Sequence, residues 1–70
     1  MNEKELMASI ARNGKSIPKL ATEIGIGKKA MYKKIRGETQ FTQREISAIT
    51  KVLHLCKDDM MTIFFGDLVS

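Results

Sequence analysis

At 70 residues and 43% apolar, with five Gly and one Pro, the chain is sized for one small folded domain and leaves no room for a second, catalytic or effector-binding one. Twelve Lys and Arg against eight Asp and Glu give a net charge of +4, which points to an anionic partner. No apolar run approaches the roughly 20 residues a bilayer span needs, and Met1 to Glu5 lacks the plan of a signal peptide, so a soluble, cytoplasmic protein is expected. A single cysteine, Cys56, and a single histidine, His54, supply neither an internal disulfide nor the four ligands of a structural zinc. Stability is therefore expected from packing, with no metal and no cofactor.

The first predicted helix runs from about Asn2 to Arg12. Asn2 is placed to cap it, Glu5 to complete a capping box, and Leu6 and Ile10, with Met7 and Ala11, to form the buried stripe. Asn13-Gly14 stops it. Ser16 then caps a second helix with Ile17 and Pro18 in its first turn, where a missing N–H costs nothing, and with Leu20, Ala21 and Ile24 on one apolar face. Gly25 ends that helix, since glycine takes the left-handed conformation that a sharp reversal needs. A third, short helix starts near Gly27 or Lys28 and continues to about Ile35, followed by a loop over Arg36 to Gln40.

Thr42-Gln43-Arg44-Glu45 reads as a capping box, flanked by Phe41 and Ile46 as a hydrophobic staple, and opens a fourth helix over about Gln43 to Leu53. Ile46, Ile49, Val52 and Leu53 face its core side. A last helix of about Lys57 to Phe65 sets Asp58 and Asp59 against its positive N-terminal end and assigns Ile63 and Phe64 to the core. Strand-like alternation is nearly absent, so the expected fold is all-α, a compact five-helix domain with its core at about residues 4 to 65 and a short tail at 66 to 70.

Charge is distributed unevenly along these elements. Residues 1 to 40 carry a net +5 and residues 41 to 70 a net −1, and the basicity centres on Gly27 to Gly37, which hold five bases and no acid. A helix, a tight glycine turn and a basic helix make a helix-turn-helix arrangement, whose second helix lies in the major groove while the first braces it across the backbone. Two helices crossing steeply over a short turn need a small residue at their contact, a residue tolerant of positive φ at the corner and apolar residues on either side. Ala21, Gly25 and the set Leu20, Ile24, Ile26 and Met31 meet those needs in order.

The segment SIPKLATEIGIGKKAMYKKIRG, from Ser16 to Gly37, resembles the Cro and phage-repressor-like helix-turn-helix family, and the likeness continues through QFTQREISAITKVLHL to DMMTIFF. It is similar in particular to small phage-derived regulators of low-GC Gram-positive bacteria, in which a basic third helix, a Phe-Thr-x-x-Glu-Ile box and a terminal Ile-Phe-Phe recur together. The resemblance implies a lambda-repressor-like fold and binding of double-stranded operator DNA, commonly as a symmetric homodimer. By position in the matched motif, Lys28, Lys29, Tyr32 and Lys33 are the candidates for base edges, with phosphate contact as their plainer role. Phosphate candidates are Lys19, Lys34, Arg36, Thr39, Gln40, Thr42 and Arg44, together with Ser16 and the N-terminal N–H groups of the second helix. Two positions depart from the pattern: Ile17 stands where relatives often place a DNA-contacting glutamine, and Cys56 replaces the serine that usually caps the last helix.

The remaining conspicuous residues have plain readings. His54, at the end of the fourth helix, has no acid and nucleophile set beside it for catalysis, and Cys56 is a weak substitute cap rather than a redox sensor. Phe65, Leu68 and Val69 run on past the core, either as a dimer contact that pairs two modules on adjacent half-sites or as a tail packed within the chain or left loose. The expected function is thus a transcriptional regulator, a Cro-like repressor occupying operator DNA; an antitoxin-type autoregulator uses the same module. The competing class is an antirepressor or adaptor that binds another protein through the Met/Phe-rich last helix. An RNA or nonspecific nucleoid binder is a minor third reading, and no catalytic constellation stands at usable spacing, so no enzyme is expected.

Overall fold

Five helices and no strand make up the described residues, 1–66, of the computed structural model. They are α1 (Glu3–Arg12), α2 (Ile17–Ile24), α3 (Lys28–Ile35), α4 (Gln43–Val52) and α5 (Lys57–Phe65), matching the sequence expectation in number, order and, to within a residue or so, in bounds. Each N-terminus except that of α3 is closed by a side chain: Asn2 Oδ1, Ser16 Oγ, Thr42 Oγ1 and Cys56 Sγ each accept the amide hydrogen three residues on. The thiol is the weakest of these, at 3.4 Å. At Thr42 the box is complete, because Glu45 Oε1 accepts the Thr42 amide at 2.9 Å.

At Asn2 it is only half formed. Glu5 turns instead to Arg12, whose Nη2 lies 3.2 Å from Glu5 Oε1, and the Asn2 amide donates to the Ile63 carbonyl at 2.7 Å. That bond ties the start of α1 to α5, a long-range use of an amide that the box would have spent locally.

All five helices feed one core: Leu6 and Ile10 from α1, Leu20 and Ala21 from α2, Met31 and Ile35 from α3, Ile49 and the adjoining Leu53 from α4, and Ile63 from α5. Phe64 packs half-buried against it, as do Ile24, Ile26 and Val52. Met7 and Ala11, expected on the buried stripe of α1, are exposed. The stripe follows Leu6, Ser9 and Ile10, and residues one step round the helix from it face outward. Ser9 is buried without cost because its hydroxyl accepts from Arg12 Nη2 at 2.9 Å.

The reversal between α2 and α3 takes three residues, Gly25 to Gly27. Gly25 has φ +80°, and the Ile26 amide donates back to the Ala21 carbonyl at 3.0 Å, so the chain leaves α2 through a left-handed residue that satisfies the last carbonyls. Ala21, 1% exposed, sits beneath the turn, and α2 packs on both α3 and α4 while α1 packs on α5. No helix among the described residues is long and apolar enough to cross a membrane.

Candidate nucleic-acid interface

The basic segment acquires its geometry from α3. Met31 and Ile35, four residues apart, point into the core, which turns Lys29 and Lys33 to the opposite side of the helix. Lys28, at the first helical position, is exposed as well, and Tyr32 lies half-buried beside them. Gly27 precedes α3 without any side-chain cap, so the leading turn of this helix presents its amides and the Lys28 and Lys29 ammonium groups to solvent together.

Ion pairing sorts the cations of the molecule into two sets. Arg12 pairs with Glu5, Lys15 with Glu23, Lys34 with Glu45 and Arg36 with Glu38. Lys4, Lys19, Lys28, Lys29, Lys33, Arg44, Lys51 and Lys57 make no ion pair among the described residues and are exposed. Three of the four base-edge candidates and two of the phosphate candidates therefore carry uncompensated charge.

Lys34, expected to clamp a phosphate, is engaged inside the protein. Its Nζ lies 3.0 Å from Glu45 Oε1, donates to the Gln40 carbonyl at 3.0 Å and stands 5.9 Å from the centroid of the Phe41 ring, with the side chain only 14% exposed. It fastens the loop after α3, at Gln40 and Phe41, to the start of α4 at Glu45. Burial alone would raise the Glu45 pKa; the Thr42 amide and the Lys34 ammonium outweigh it and hold the carboxyl below its ordinary 4.5. Nothing in the local pattern signals this ion pair, since its members belong to different helices.

The N-terminus of α2 is less open to an anion than the sequence implies. Pro18 has no N–H and the Lys19 amide is taken by Ser16 Oγ at 3.3 Å, which leaves the Ile17 amide and the Ser16 hydroxyl hydrogen as donors in the first turn. Arg36 remains accessible: its pair with Glu38, at 2.7 Å, joins side chains that are more than half exposed, where water and salt weaken such a contact. Thr39, Gln40 and Thr42 are exposed, the Thr42 hydroxyl oxygen being occupied by the Glu45 amide.

A cleft of about 400 Å³ opens at the far end of α5, lined by Met1, Phe41, Ile46, Phe64 and Phe65 and, on the side of the α3–α4 loop, by Lys34, Thr39 and Gln40 among others. Phe41 and Phe64 meet edge to face in it, with centroids 5.7 Å apart. Phe65, a candidate dimer residue, borders this cleft; Leu68 and Val69, the other two, lie outside the described residues. Comparison with protein-family models, with curated proteins and with solved structures finds no match for the chain, so the functional reading rests on the residues themselves.

Proposed function

We propose that this chain is a sequence-specific double-stranded DNA-binding regulator of the helix-turn-helix type, in which α2 braces α3 and α3 enters the major groove. The observation that carries the reading is the set of exposed lysines on α3, Lys29 and Lys33 on its outward face and Lys28 at its leading end, which are free of ion pairs among the described residues and follow a three-residue turn from α2. An ordinary solvated helix face mixes charges of both signs, and this one does not. Lys19, Arg36, Arg44 and the Ser16 hydroxyl are exposed and serve as phosphate contacts in this reading, to which the loop fastened by Lys34 adds Thr39 and Gln40. Such a protein acts by occupying an operator and excluding polymerase, in the manner of a Cro-like repressor in the bacterial cytosol, without cofactor or chemistry of its own. A homodimer on DNA doubles the few base contacts that one eight-residue helix can make.

A second reading, an adaptor or antirepressor that binds another protein, is favoured by the apolar cleft between Phe41, Phe64 and Phe65. Salt separates the two. Binding to duplex DNA selected from a random library is expected to weaken with a log–log slope of about −0.9 for each phosphate neutralised, whereas an apolar protein contact keeps its affinity. Lys29→Ala is expected to lower affinity for the selected duplex by about five-fold or more while changing affinity for scrambled DNA far less. Lys57→Ala, which removes the same charge from the start of α5, serves as the control. Equal binding to all duplexes, with no enriched sequence, would overturn the specific-regulator reading.

A further inference from the structure

The exposed side chains of α3 are hydrogen-bond donors. Lys28, Lys29 and Lys33 present ammonium groups and Tyr32 a hydroxyl, and the helix contains neither a carboxylate nor a carboxamide. The other two cations of this stretch have partners of their own, Lys34 on Glu45 and Gln40 and Arg36 on Glu38. What remains is a surface able to give hydrogen bonds and, apart from the Tyr32 oxygen, unable to receive them.

The four base pairs do not offer equal partners to such a surface. In the major groove guanine alone exposes two adjacent acceptors, N7 and O6; adenine sets an amino donor beside its N7, thymine offers the single acceptor O4 beside its methyl group, and cytosine exposes an amino donor alone. Reading adenine takes a carboxamide and reading cytosine a carboxylate, and α3 has neither. Lys29 and Lys33 stand on the same outward face at a rise of about 6 Å, which, with the helix axis along the groove, matches about two base steps of about 3.4 Å.

We infer that α3 reads guanine N7 and O6, with Lys29 and Lys33 as the specificity-determining pair, so that each half-site of the preferred duplex carries guanines about two steps apart. The inference rests on the DNA-binding reading above and goes beyond it by naming the base chemistry recognised.

The test takes the full chain through selection on a random duplex library at near-physiological salt. The winning duplex is then resynthesised with 7-deazaguanine at each guanine in turn, which deletes the N7 acceptor and keeps the base pair. Affinity is expected to fall about five-fold or more at two positions in each half-site. Lys29→Gln is expected to move the preference at one of them from guanine to adenine, because a carboxamide matches adenine N6 and N7; an unchanged helical circular dichroism spectrum excludes unfolding as the cause. A selected duplex without guanine, or one indifferent to every 7-deazaguanine, overturns the guanine assignment and leaves the DNA-binding reading standing. Sensitivity to 7-deazaguanine with no change of preference in either Lys29→Gln or Lys33→Gln overturns the assignment to this pair. Failure to enrich any duplex overturns the underlying reading, and the inference with it.

Discussion

His54 holds φ at +53°, the left-handed region, in a position where three other helix ends of this protein place glycine. The four ends are closed alike. Gly14, Gly25, Gly37 and His54 each donate an amide three residues back, and the residue after each donates five residues back, as Leu55 does to the Thr50 carbonyl at 3.0 Å. The histidine therefore closes α4 through its backbone. A side chain at such a φ costs about 1–2 kcal/mol, partly offset in glycine by the greater freedom of the unfolded chain. His54→Gly is accordingly expected to stabilise the fold by about 0.5–1 kcal/mol, read as a rise in thermal midpoint. Gly25→Ala is expected to do the opposite, and since no atom lies within 4 Å of the added Cβ, its cost is one of backbone alone.

The start of α4 shows an element held by more than its own sequence. Its capping box is local and readable, but the same Glu45 carboxylate also receives Lys34 from α3, so one side chain closes a helix and fixes the loop that precedes it. Its pKa is depressed in the folded protein: burial works against ionisation, and the Thr42 amide and Lys34 more than compensate. The stabilisation is thus complete above the ordinary value of 4.5 and is lost as pH falls through the lower, folded value. Glutamine at this position preserves the shape of the box and removes the charge. Urea midpoints measured from about pH 6 down to pH 3 are expected to show Glu45→Gln less stable than the parent at the neutral end, with the gap closing toward the acid end. A constant gap would mean that ionisation of Glu45 contributes nothing.

At the scale of the whole molecule, five short helices share a single core with a Cα radius of gyration of 11.0 Å. Domains of this size rarely draw more than about 3–5 kcal/mol from one core, which leaves little reserve against the loss of a fully buried side chain. Leu20, 0% exposed, comes from the helix that packs on both α3 and α4. Leu20→Ala is expected to cost about 2–5 kcal/mol and to leave the chain largely unfolded at physiological temperature, whereas Met7→Ala, at a 40% exposed position, is expected to change the melting curve little. Far-ultraviolet circular dichroism against temperature distinguishes the two outcomes. The same shared core orients the basic face: Met31 and Ile35 must be buried for Lys29 and Lys33 to project outward.

Helix number, order and ends were readable from the chain because caps and glycine stops act over three to five residues. Ser16, Gly25 and the Thr42–Glu45 box carry their meaning within a single turn. The basic character of α3 was readable for the same reason, as was the apolar stripe of Met31 and Ile35 that turns it outward. The use to which Lys34 is put was not readable. Lys34, Arg36 and Lys33 look alike along the sequence, and only the packed arrangement assigns Lys34 to Glu45, Gln40 and Phe41 while leaving Lys33 in solvent. Asn2 caps α1 as its position implied, whereas Met7, Ala11 and Glu5 failed as local expectations: the stripe follows Ser9, and Arg12 took the Glu5 carboxylate while the Asn2 amide reached across to Ile63. The sequence by itself determined the elements, since these depend on short-range backbone hydrogen bonds and periodicity. That Lys34 is withdrawn from any partner was decided by the tertiary structure alone, because an ion pair between helices depends on distances that no local spacing encodes, whereas Arg12–Glu5 lies within α1 and Arg36–Glu38 spans two residues.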